Sequence, residues 1–371
     1  MIKKLPPIYP NELFYSFLSR AYMQSGIGSA SEFNKLVFDR STDTPRYNFI
    51  NKLNDNFNDI LYKQISPFEI ITNHTLFNFY SRFLTKEQKE EAMKKILDGQ
   101  NGFIYLHMPV AKGEVFLKYC PMCVEEDKKK YGERYFHVEH QFDKIKICPH
   151  HCCKLKNTNI KNTGLNASVF KPLEMCDISK EVEVVDPNSI DVRFTKYLYE
   201  FYKYNFSFNT NVEIGSILSN KLDSKYFLSS RCERKDLNLI YDDIVKFYEG
   251  YELFDITKRR VASLLRGVEF NTFDILLIAF FEGISINELC DGISVSGNRT
   301  EVFDKKVKKL YEEGHNYTQI SKILNVNHET IRKIILGIYN KEKAPIKVPK
   351  VLTSIWFQLV RDIPKVLFKI F

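Results

Sequence analysis

No apolar run in the chain reaches the roughly 18 residues of a membrane-spanning helix. The opening "MIKKLPPIYP" also lacks the apolar core of a secretory signal. Both absences lead to the expectation of a cytoplasmic protein. There, the eight cysteines serve as thiols or metal ligands rather than disulfides. Catalytic signatures are missing as well. The sequence has no HExxH, no clustered carboxylates for two metals and no Gly-rich phosphate loop, which weighs against a zinc hydrolase or nuclease. The expectation is that the chain is not an enzyme. No internal repeat of fixed period occurs.

The chain does have length and order. Its 371 residues allow two or three domains, and 44% hydrophobic with 14% aromatic residues excludes disorder over most of it. The formal charge is +8, and residues 302–371 hold 14 Lys+Arg against 6 Asp+Glu. The remaining residues carry 40 of each, so the whole excess lies at the C-terminal end and points to an anionic partner there.

Periodicity predicts a mainly α, multi-domain fold. In "NELFYSFLSRAYMQSG", Leu13, Phe14, Phe17, Leu18 and Ala21 fall at helix spacing, and "SASEFNKLVF" predicts a second helix. "ISPFEIITNHTLFNFYSRFL" predicts another, as does "TKEQKEEAMKKIL", with Thr85 and Gln88 as a capping box. Short strands are expected in "GFIYLHMPV" and "EVFLKYC". The expected divisions are a helical region at 1–118, a zinc-binding region at 119–155, a polar linker at 156–193, a helical region at 194–295, a helix-turn-helix at 302–339 and a basic tail at 340–371.

Cys120-Pro-Met-Cys123 and Cys148-Pro-His-His151 share one form: Cys, Pro, any residue, then a second donor. Each can make a knuckle in which Pro helps fix the turn. Together they supply a Cys3His set suited to one tetrahedral structural zinc. The spacing leaves His150, Cys152 and Cys153 outside that set. Buried free thiols are the bland alternative. A redox pair is weaker still, because no βαβ pattern surrounds Cys120. Glu133, His137, Glu139 and His140 could serve a catalytic zinc, but four protein ligands close the site.

The stretch "YCPMCVEEDKKKYGERYFHVEHQFDKIKICPHHCCKL" resembles the zinc region of the TniQ/TnsD family of transposition target-selection proteins. Gly132-Glu133, Tyr135-Phe136, His140-Gln141 and Leu155 fall on that family's pattern. Phe136 stands where Trp is commoner, and "FDKI" replaces a Leu-Pro-Gly turn. "PPIYPNELFYSFLSRAYMQSGIGSASEF" is similar to the family's opening, and "HTLFNFYSRFL" and "KRRVASLLRGVEFNTFDILLIAFFEGISINEL" to its TnsD branch. The resemblance implies sequence-specific binding of double-stranded DNA that directs a Tn-seven-like transposon to its target. It further implies recruitment of an AAA+ ATPase and through it the transposase, with no strand transfer by this subunit. A bacterial, nucleoid-associated location follows from that role. A zinc-containing helix-turn-helix transcription regulator is the alternative.

"TQISKILNVNHETIRKII" fits a helix-turn-helix, with a small residue at Ser321, a turn residue at Asn325 and an apolar residue at Ile331. Asn327 is placed to cap the second helix. His328, Glu329, Thr330, Arg332 and Lys333 would face the major groove, while Lys305, Lys306, Lys308 and Lys309 would lie along phosphates. Lys258, Arg259 and Arg260 form a weaker candidate grip. For the ATPase contact, Tyr15, Arg20, Tyr22 and Arg40 fall outside the apolar stripe of the first helices and are of types enriched at interfaces.

Overall fold

The computed structural model describes residues 4–38, 50, 52–99, 116–142, 144–161, 170–207, 214–227, 235–267, 271–291, 307–324, 331, 332 and 335. The expected strand at "GFIYLHMPV" and the sites Arg40, Lys305, Asn327, His328, Thr330 and Lys333 lie outside them. The chain divides into two compact units, Met1–Val295 and Ser296–Phe371.

The first unit opens with α1 (Phe14–Ser25), α2 (Ala30–Phe38), α3 (Asp55–Leu61), α4 (Pro67–Asn73), α5 (Phe77–Ser81) and α6 (Lys86–Leu97). Thr85 and Gln88 make the capping box expected at the start of α6. The single long helix expected over residues 65–84 is instead two, divided at His74, the C-cap of α4. β1 (Phe116–Tyr119) then leads into α7 (Pro121–Tyr131), and β1 pairs antiparallel with β2 (Lys156–Lys161), Tyr119 opposite Lys156. Next come α8 (Ile190–Lys203), α9 (Ile214–Lys221), α10 (Leu237–Phe247), α11 (Lys258–Leu265), α12 (Thr272–Phe281) and α13 (Ile286–Asp291).

Two clusters share α1. Phe14, Phe17 and Leu18 enter a core with Phe33, Val37, Phe57, Ile70, Phe77 and Ile96. Leu13 and Tyr15 enter another, which continues through Phe79, Phe136, Phe142, Phe194 and Leu276 to Leu289. A helix with cores on two sides is buried nearly all round. That corrects the single-stripe expectation for Tyr15 and Arg20, both only 3% exposed. Tyr22 is half-buried, its ring 5.3 Å from Phe33 and 5.5 Å from Phe170.

The second core also takes in Leu173 and Cys176, from the stretch expected as a linker. Residues 156–161 are the strand paired with β1, and Leu173 is fully buried in the core that α8 and α12 complete. "KNTNIK" carries little apolar signal, yet Thr158 and Ile160 turn inward between the exposed Asn157 and Asn159.

The second unit is described in part. A helix at 307–312, α14, and α15 (Tyr317–Leu324) are joined through Gly314 at φ 91. Asn316 and Gln319 hydrogen-bond each other's backbone N–H at the start of α15. Val307, Ile320 and Ile331 form a buried cluster, with Leu310, Tyr317 and Ile335 packed on it.

Candidate metal centre

Cys120 ends β1 and is the N-cap of α7, whose first residue is Pro121; the Cys120 sulfur accepts from the Cys123 N–H at 3.5 Å. The fixed φ of Pro and the opening turn of the helix therefore place both sulfurs on one side. In the second knuckle, Cys152 N–H bonds to Cys148 O, and Cys152 takes φ 50. That left-handed residue turns the chain back, so that Cys148 N–H reaches Cys153 O at 2.8 Å.

The donor atoms of Cys120, Cys123, Cys148 and His151 all lie within 4.8 Å of one another. A tetrahedron with bonds of about 2.3 Å to sulfur and 2.0–2.1 Å to nitrogen has S···S edges of about 3.8 Å and S···N edges of about 3.6 Å. Cys123 and Cys148 sulfurs are 3.7 Å apart. His151 Nδ1 is 3.5, 3.3 and 3.7 Å from the sulfurs of Cys120, Cys123 and Cys148. The residues thus fit a four-coordinate metal ion, and the thiolate-rich set suits a soft or borderline one.

Two further donors crowd the cluster. His140 Nε2 lies 3.8 and 3.6 Å from the sulfurs of Cys123 and Cys148, and the Cys153 sulfur lies 3.4 Å from that of Cys120. Only His151 touches all three thiols, so it takes the fourth position. Burial pushes His140 down to about 3, which keeps its imidazole neutral. His140 Nε2 is thus placed for an outer hydrogen bond with the sulfurs, of the kind that orients ligands. His151 Nε2 lies 3.0 Å from a Glu126 carboxylate oxygen, which fixes Nδ1 as the ligating atom.

The residues between and around the knuckles position this centre. Gly132, at φ 80, ends α7. Gln141 accepts from Lys118 N–H at 3.0 Å and donates to Lys118 O at 2.9 Å, gripping the backbone two residues before Cys120. Glu133 accepts from Arg20 Nε at 2.7 Å, and Arg20 also pairs with the fully buried Glu12 at 2.8 Å. Lys144 stands at φ 56 where the resembling family has its turn Gly, and it pairs with Asp255. These supports were missed from spacing, although "HQ" beside the ligands was a usable signal for His140 and Gln141.

The other expected site residues are dispersed. Lys258 and Arg259 are exposed at the start of α11. Arg260 is not an open phosphate grip, because it is bonded to the buried Asp274. A helix N-terminus with cations gains from a neighbouring carboxylate, and Asp274 supplies it. In the second unit Lys308 and Arg332 are exposed. No helix among the described residues is long and apolar enough to cross a membrane.

The TniQ family model matches residues 5–155, a stretch that contains both knuckles. Transposon Tn7 transposition protein TnsD of Escherichia coli is similar over 160 residues, 26% identical, covering 40% of this chain. The chain spans only 30% of that relative's length in the match. The chain thus carries a TniQ domain over residues 5–155, with the four-donor knuckle pair inside it, and is similar to TnsD.

Proposed function

We propose that the protein is a non-catalytic target selector for a Tn7-like transposon. It binds double-stranded DNA at the insertion site and recruits an AAA+ ATPase, which brings the transposase. The observation that carries this is the matched stretch 5–155 with its closed donor set. Four protein ligands leave no position for substrate, which suits a folding element rather than a hydrolytic one. Zinc is the metal this set best suits, and when bound it supplies a cross-link between the two knuckles.

DNA contact is assigned to the second unit as a helix-turn-helix, supported by its local charge and by the buried Val307, Ile320 and Ile331. Arg332 and Lys333 would read bases, while Lys305 and Lys308 hold phosphate. Lys258 and Arg259 remain exposed for a second phosphate contact; Arg260 does not. For the ATPase, the exposed edge of α1 and α2 at Met23, Glu32 and Lys35 replaces the buried Tyr15 and Arg20.

The test is footprinting of the purified protein on genomic fragments flanking its transposon, with and without the ATPase. A protected sequence that then retains the ATPase is the expected outcome. Equal binding to random DNA refutes target selection. A specific footprint at promoters, without ATPase retention, favours the transcription regulator instead.

A further inference from the structure

Cys153 is absent from the four-donor set, yet it is completely buried and packed with Cys120, Cys123 and Cys148. Its sulfur is 3.4 Å from that of Cys120, closer than the S···S edge of about 3.8 Å in a zinc tetrahedron. Two backbone features put it there: the left-handed Cys152, and the bond from Cys148 N–H to Cys153 O. In contrast, His151 reaches solvent, with 12% side-chain exposure, and its carboxylate partner Glu126 is 67% exposed. The most exposed ligand and a spare thiol thus lie on the same loop, two residues apart.

We propose that Cys153 is a reserve ligand. The centre has two overlapping donor sets, Cys120/Cys123/Cys148/His151 and Cys120/Cys123/Cys148/Cys153. When the imidazole is withdrawn, the Cys153 thiol gives up its proton to solvent and its sulfur takes the fourth position. The metal stays, and with it the cross-link between the knuckles. The exchange needs a side-chain movement within the knuckle and no new residue. It rests on the metal assignment above, and the test separates the two.

Wild-type protein, Cys153→Ser, His151→Ala and the double variant are each dialysed against zinc-free buffer, and metal per chain is measured by atomic emission. The same four are then loaded with Co2+ and their thiolate charge-transfer absorption recorded. Wild type and Cys153→Ser should hold one metal with a three-thiolate spectrum. His151→Ala should also hold one metal, but with the stronger band of four thiolates. The double variant should bind at least about tenfold more weakly than His151→Ala. The proposal is overturned if His151→Ala is as metal-poor or as unfolded as the double variant. It is equally overturned if His151→Ala keeps metal on three thiolates, which would mean that water or His140 fills the gap. A wild-type protein without metal removes the metal assignment itself, and the reserve ligand with it.

Discussion

Replacing Arg20 with Met should reveal it as a core residue whose loss depends on pH. Its guanidinium lies 3.0 and 2.8 Å from the two oxygens of Glu12, 4.0 Å over the Tyr9 ring, and against Glu133. Glu133 is one-third exposed and recovers water when Arg20 goes; Glu12 is fully buried and cannot. Removing one partner of such a pair costs about 3–5 kcal/mol. Burial already pushes Glu12 up to about 7 with Arg20 beside it, from an ordinary 4.5. Without Arg20 it rises further. A folded pKa above the unfolded one gives stability that is complete below about 4.5 and lost as pH rises through 7. The penalty should therefore be largest near pH ~8.5 and smaller by about 1–2 kcal/mol near pH ~6. Urea unfolding of both proteins at the two pH values measures this, and adding Glu12→Gln to Arg20→Met should relieve most of the loss. A penalty that is the same at both pH values and untouched by Glu12→Gln would refute the argument. A loss below about 1 kcal/mol would return Arg20 to the surface.

Cys148→Ser should abolish metal binding and unfold the zinc region, because structural metal binding is folding free energy, read by metal content and circular dichroism. Cys152→Gly should keep the metal and raise stability by about 1 kcal/mol, since Cys152 holds φ 50; a loss of metal would mean that its sulfur ligates. Gly215→Ala should destabilise measurably in the same unfolding assay, because its Cβ would sit 2.6 Å from Gly267 N, a backbone atom that cannot swing aside. Arg332→Ala should cost roughly 1–3 kcal/mol on the specific site, whereas Lys308→Ala should weaken all DNA binding and flatten the salt slope by about one unit. Equal losses for both on specific and random DNA would remove Arg332 as a reader.

The two knuckles were legible because Cys-Pro-x-donor is a local geometry: one tight turn or one helix start sets both donors. The helix starts were legible for the same reason, as Thr85 and Gln88 show. Burial of Arg20 was not, because its partner Glu133 is 113 residues away and periodicity reports only a helix's own faces. Cys153 falls outside the four-donor set, as its spacing indicated; its burial against Cys120 was not legible, because it depends on φ 50 at Cys152, which folds the chain back. The stretch 156–193 reads as a linker from its composition, yet "KNTNIK" is strand-paired and Phe170, Leu173 and Cys176 are buried, contacts that composition does not report.

Arg82 joins the N-terminal helices to the far end of α8. It donates to Tyr204 O at 2.7 Å and Asn205 O at 3.1 Å, while Lys89, fully buried, donates to Ser207 O at 2.8 Å. Each acceptor is a main-chain carbonyl, which every amino acid offers alike. Substitution at 204, 205 or 207 therefore leaves the acceptors in place, whereas substitution at 82 or 89 removes the donor. Among diverging relatives, positions 82 and 89 should resist change more than 204, 205 and 207. Correlated substitutions can therefore report this junction through its ring contacts, Phe79 and Phe83 on Phe201, but not through these hydrogen bonds, whose weight must be sought in the fate of Arg82→Ala.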